Sequence, residues 1–132
     1  MNATEFETAV RELRYRQRHF FRCKKDDPNR PKAKELMKEQ EKIVGEVVDA
    51  VITRRPKDKP VQSDREQFFL NVAEMLRRQK EWMRQGGGSC YMNPSKEAEK
   101  KVDAQLSVWD EERKRQHQLR QEEERRKQTS LF

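Results

Sequence analysis

Between positions 11 and 25 the chain sets seven cationic side chains, Arg11, Arg14, Arg16, Arg18, Arg22, Lys24 and Lys25, with Tyr15, His19 and Phe21 among them. Positive charge interleaved with aromatic rings is the footprint of a nucleic-acid surface. No recognition-helix, finger or RNP pattern accompanies it, so the expected contact is with phosphates and indifferent to base sequence. The same residues equally describe a charged solvent face that keeps the protein soluble. A second candidate closes the chain, where Leu131 and Phe132 follow eighteen almost wholly polar positions and the short run Gln128-Thr129-Ser130. Two large apolar side chains there gain nothing in water. They make sense in a pocket of another molecule or folded back onto their own helices.

Catalysis has no comparable foothold. Nucleophile elbow, phosphate loop, HExxH and paired inward carboxylates are all missing, so no catalytic residue and no cofactor are expected. Gly86-Gly87-Gly88-Ser89 lacks the following Lys and the preceding strand of a phosphate loop, and reads as a helix stop. His19 lies off any apolar stripe and His117 sits in a charged run, so both read as solvated. Cys23 and Cys90 form no CxxC and join no His cluster, so no metal site is expected; one disulfide between them is arithmetically possible, but a chain with no second pair is expected to keep both thiols reduced.

The elements that must carry these groups are bounded by composition. Of 132 residues, 42% are charged and 32% hydrophobic, so much of the chain is a solvated face. The longest apolar runs, such as Phe68-Phe69-Leu70, fall far short of the roughly 18–20 residues of a membrane span. Four glycines, three in one run, cannot supply the turns of a large β-sandwich or a doubly wound α/β enzyme. The first residues show no basic segment followed by an apolar one, so the cytoplasm is the expected compartment. Net charge is +7, and residues 1–62 hold most of the excess, with 16 basic and 11 acidic side chains.

Periodicity predicts four helices. The first opens with the capping-box spacing Thr4-x-x-Glu7 and carries the stripe Phe6, Val10, Leu13, Gln17, Phe20, ending near Arg22. After a polar turn with two prolines, the second runs from about Pro31 to about Thr53, with Ala33, Leu36, Gln40, Val44, Val47, Val48 and Val51 inward. The linker 54–62 is charged and contains Pro56 and Pro60. Ser63-x-x-Glu66 opens the third helix, whose stripe is Phe68, Phe69, Val72, Met75, Leu76, Gln79 and Trp82. Asn93 or Ser95 is expected to cap the fourth, which carries Ala98, Val102, Leu106 and Trp109.

The halves resemble each other. A shift of 62 maps Phe6, Val10, Leu13, Gln17 and Phe20 onto Phe68, Val72, Met75, Gln79 and Trp82, and a shift of 58 maps Val44, Val48 and Val51 onto Val102, Leu106 and Trp109. With one stripe per helix, neither hairpin covers itself. The expected fold is all-α: hairpins 1–53 and 63–109 packed as a small four-helix bundle. Gln17 and Gln79 then point inward at matching heights and hydrogen-bond each other or a helix backbone.

Residues 110–127 form a charged arm with Leu119 its one large apolar residue. Acid-before-base pairs four apart, such as Glu111/Arg115 and Glu122/Arg126, each support a helix by about 0.2–0.5 kcal/mol. The arm is therefore a solvated helix or a disordered tether, and it holds residues 128–132 away from the body.

That terminal peptide, Gln128-Thr129-Ser130-Leu131-Phe132, resembles the one by which bacterial replication and repair proteins bind the sliding clamp, Gln-Leu-(Ser/Asp)-Leu-Phe. Four of five positions match, and Thr129 stands where the consensus has Leu, a position that tolerates variation. The resemblance implies that Leu131 and Phe132 enter the clamp's apolar pocket, Gln128 hydrogen-bonds at its rim and Ser130 shapes the turn. The eukaryotic version places aromatic residues further downstream of the Gln, so a bacterial or phage clamp is the better match. Ser130-Leu131-Phe132 also fits a PDZ-type carboxylate ligand.

The expectation is a non-enzymatic, replication-associated factor that docks on a bacterial-type sliding clamp, as recruiter or as competitor. Its helical body is similar in style to uncharacterised proteins of prophages and mobile elements. The alternative is a sequence-nonspecific nucleic-acid-binding or structural assembly protein of a phage or mobile element whose terminus is incidental. Neither reading fixes the oligomeric state, and neither involves a membrane.

Overall fold

The computed structural model describes residues 1–56, 58–86 and 89–130, leaving aside the side chains of 89–91 and 130. They form four helices, α1 (Ala3–Arg22), α2 (Arg30–Arg54), α3 (Asp64–Arg84) and α4 (Ser89–Ser130). Among the described residues there is no strand, and no helix is long and apolar enough to cross a membrane.

The helix starts follow side-chain chemistry, with two corrections to the expected caps. α1 begins on Asn2, whose Oδ1 accepts the Glu5 N–H at 2.8 Å, and not on Thr4. Asn caps at least as well as Thr, and the Glu7 carboxylate that a Thr4 box would use is taken by arginines inside the bundle. Ser63 does cap α3, its Oγ accepting the Glu66 N–H at 3.2 Å, while the Glu66 carboxylate reaches back to the Gln62 N–H and to Arg55. α4 starts at Ser89, earlier than an Asn93 or Ser95 cap would allow, and runs through Pro94. Pro94 lies in the second turn, where its missing N–H costs one hydrogen bond close to the helix start rather than mid-helix. α3 ends at Arg84 with Gln85 as its cap, and Gly86 just beyond turns the chain with a φ of +73°, open to glycine at little cost.

The four helices run up, down, up and down. α1 and α2 are antiparallel, as Arg16 donating to the Leu36 carbonyl and Gln40 donating to the Ala9 carbonyl require. α3 and α4 are antiparallel too, with Phe68 edge-on to Trp109 at 4.8 Å and Gln79 bonded to Glu99. α1 and α3 run parallel across the diagonal, where Phe6 meets Phe68 with ring centroids 6.0 Å apart. The pairs within each hairpin pack closely, while α1 and α4 are joined mainly by long charged side chains. The fold is thus a small all-α bundle of two helical hairpins, α1–α2 and α3–α4.

The core holds Phe6, Val10, Leu13, Val44, Val48, Phe68, Val72, Met75, Leu76, Ala98, Val102, Leu106 and Trp109. Each large apolar side chain buried there is worth about 1.5–3 kcal/mol relative to exposure. The expected stripes are correct for α1, α3 and α4. In α2 the inward residue is Met37 rather than Leu36, and Val51 is exposed because the bundle has ended at that level. A smaller cluster of Phe20, Ala33 and Met37 closes the α1–α2 turn, with the free thiol of Cys23 against it.

Beyond Trp109, α4 continues to Ser130, and no residue from 110 to 129 is buried. At about 1.5 Å per residue this arm projects about 30 Å. It is an extension of the fourth helix, the first of the two expected forms.

Candidate functional site

Two places in the fold carry chemistry that packing does not consume: the arm with its terminal peptide, and the open end of the bundle beside the cationic residues of α1.

The structure divides the seven cations. Arg14 is 5% exposed. Its guanidinium grips Asp103 of α4 through Nε at 2.8 Å and Nη2 at 3.0 Å, and donates to Gln17 at 2.6 Å. Arg11 bridges Glu7 and Asp110, each at 2.8 Å, and Arg16 joins Glu12 to the Leu36 carbonyl. Those three tie helices together, Arg11 and Arg14 across the α1–α4 seam and Arg16 from α1 to α2, so each of these long cations serves as a cross-brace. Arg18 is half exposed and stands 4.0 Å from Asp103, while Arg22, Lys24 and Lys25 are exposed.

Gln17 lies at the centre of a polar layer that touches all four helices. Its Nε2 donates to Gln79 Oε1 at 3.0 Å, and Gln79 Nε2 donates back to Gln17 Oε1 at 3.2 Å. Glu41 of α2 accepts from Gln17, and Glu99 of α4 accepts from Gln79. Every buried amide group here has a partner, so the layer fixes register without an orphaned donor.

Above that layer the bundle is open. One cavity of about 410 Å³ lies between α1, α3 and α4, lined by Arg18, Phe21, Arg22, Trp82, Met92 and Lys96 among others. A second of about 330 Å³ lies between α1, α2 and α3, lined by Phe20, Arg30, Lys34, Met37, Lys38 and Met83 among others. Both share Gln17, Phe21, Trp82 and Glu99. The sequence singled out Phe21 and Arg22, but not Trp82, Lys34, Lys38 or Lys96, which come from three other helices. Only the antiparallel hairpin order brings those ends together.

The arm is rooted firmly. Glu7 is 1% exposed and receives Arg11 at 2.8 Å, Arg65 at 2.6 Å and Arg113 at 2.6 Å. Burial alone would push the Glu7 carboxyl up, but the hydrogen bonds from Arg11, Arg113 and Arg65 outweigh it and hold the group below its ordinary value of 4.5. Arg65 also covers the Trp109 ring, its guanidinium 4.1 Å from the centroid. Arg113 and Asp110 belong to the first turn of the arm, so the arm leaves the bundle in a direction set by these ion pairs.

Of the peptide residues, Gln128 and Thr129 are exposed on the last turn of α4, where the Thr129 hydroxyl donates to the Arg125 carbonyl at 2.7 Å. Ser130 ends that helix. Leu131 and Phe132, the two residues expected to fill a partner's pocket, lie outside the described residues.

Compared with protein-family models, curated proteins and solved structures, the chain finds no match.

Proposed function

We propose that this protein is a non-enzymatic factor of DNA replication that docks on a bacterial-type sliding clamp through Gln128, Ser130, Leu131 and Phe132. One observation carries the reading: α4 outlasts the bundle by about 30 Å as an exposed helix and delivers residues 128–130 to its far end. A helix with no apolar face has no packing reason to be that long. Its reason is reach, which presents the peptide at a distance from a body rooted by Glu7, Arg113 and Trp109.

Burying Leu131 and Phe132 in a pocket supplies about 3–5 kcal/mol before association costs. That suits micromolar, exchangeable tethering, as a recruiter of the bundle or as an occupant that keeps other clients off. Such a factor works in the cytoplasm, beside the clamp.

The test is displacement of a fluorescent client peptide from a purified bacterial clamp. The full chain should release it at micromolar concentration. The Leu131→Ala/Phe132→Ala chain should fail to do so at concentrations at least 30-fold higher. Equal displacement by both chains removes the proposal.

A further inference from the structure

We propose that the open end of the bundle and the neighbouring outer face of α1 bind single-stranded nucleic acid, bases stacking on aromatic side chains and phosphates resting on the cations between them. This surface is distinct from the terminal peptide, and the inference does not rest on the clamp reading.

Charge is the first argument. Elsewhere on the bundle some cations are matched, Arg11, Arg65 and Arg113 with Glu7, Arg55 with Glu66, Arg77 and Arg78 with Glu74, while Lys42, Lys80, Arg84, Lys100 and Lys101 stand without an ion pair among the described residues. Around the two cavities, Arg22, Lys34, Lys38 and Lys96 have no ion pair or hydrogen bond among the described residues. The carboxylates present, Glu41 and Glu99, are held in the polar layer by Gln17, Gln79 and Arg14. A net cationic rim over an apolar cavity fits a ligand that is both anionic and flat-faced.

Aromatic placement is the second. Phe21 is 58% exposed and lies against Trp82, with centroids 6.3 Å apart. The Trp82 indole N–H is enclosed and has no acceptor among the described residues, so a donor remains unused in the cavity wall. Tyr15 is 63% exposed and stacks on His19, the rings only 4° from parallel. An exposed aromatic in water is an isolated liability, but here there are two platforms on one helix. At about 100° per residue, Arg18 and Arg22 fall between Phe21 on one side and Tyr15 and His19 on the other. The order around α1 is therefore ring, cation, cation, ring, with Tyr15 about 9 Å and His19 about 3 Å from Phe21 along the axis. That alternation matches a strand with splayed bases and intervening phosphates. An acidic peptide would use the cations and leave both platforms idle. A duplex would bury its base faces away from them.

The experiment is fluorescence anisotropy on the full chain with labelled oligo(dT) and oligo(rU) of about twelve nucleotides, at about 50 and 200 mM salt. A blunt duplex and poly-glutamate serve as comparison ligands. Either single strand should bind at least 10-fold tighter than both comparison ligands and quench the emission of Trp82. Phe21→Ala, an exposed change whose thermal melt should match the parent, should weaken binding about 10-fold with the salt slope unchanged. Arg22→Gln with Lys96→Gln should instead flatten the slope by about one phosphate contact or more. The Leu131→Ala/Phe132→Ala chain should bind the strand like the parent, which separates this surface from the clamp peptide. Binding to poly-glutamate or duplex as tight as to either strand, or a Phe21→Ala chain that binds as the parent does, overturns the proposal.

Discussion

Gln17 and Gln79, 62 residues apart, exchange a reciprocal pair of amide hydrogen bonds at 3.0 and 3.2 Å across the diagonal of the bundle. Phe6 and Phe68, also 62 apart, meet three helical turns below, about 16 Å along the bundle. The internal repeat is therefore a working symmetry, in which equivalent residues of the two hairpins contact each other and hold α1 parallel to α3.

That pairing predicts a non-additive double-mutant cycle. Gln17→Leu or Gln79→Leu alone leaves a buried amide short of a partner and should cost about 1–3 kcal/mol in urea unfolding. The double variant should cost less than the sum of the singles by about 0.5 kcal/mol or more. Strict additivity would mean the two amides act independently.

Glu7 predicts acid sensitivity. Its folded-state value lies below the ordinary 4.5, so its contribution is fully present above about pH 5 and is lost as pH falls through the folded value. Thermal melts of the parent should fall between pH 6 and pH 3. Glu7→Gln should start lower at pH 7, by about 1–3 kcal/mol, and lose less over the same range. Parallel pH profiles for the two proteins would remove Glu7 from the acid response.

Arg14 and Arg22 share a helix and a charge but not a role. Arg14→Ala breaks the grip on Asp103 and should destabilise the bundle by about 2–4 kcal/mol. Arg22→Ala should stay within about 0.5 kcal/mol of the parent. Equal costs in denaturant titrations would contradict the division of α1 into bracing and exposed cations.

Hydrogen exchange should separate the arm from the body. Amides of residues 115–129 belong to a solvent-exposed stretch of helix and should exchange with little protection. Those of residues 68–76 and 98–109 should be slower by several orders of magnitude. Uniform protection along α4 would show that the arm is packed against something.

Much of this architecture was legible from spacing. Every residue of the α1 stripe as read is buried, because Phe6, Val10, Leu13, Gln17 and Phe20 keep helical steps, while the buried Glu7 and Arg14 beside it are set by ion pairs that spacing does not show. The α1 cap was misread because two capping residues lie two apart, and tertiary demand for Glu7 decided between them. In α2, Leu36 and Met37 are adjacent and both apolar, so periodicity alone could not choose the inward one. Arg14 looked like any other arginine of a basic helix. Only the position of Asp103 on α4 shows that it is a brace. Trp82, Lys34, Lys38 and Lys96 could not be grouped with Phe21 beforehand, since their proximity depends on how four helix ends converge.

The most direct measurement is titration calorimetry of the full chain into purified bacterial sliding clamp. Micromolar binding by the parent, lost in the Leu131→Ala/Phe132→Ala chain whose melting temperature is unchanged, is the predicted result. Heat of equal size and affinity from both chains, or none from the parent, would contradict it.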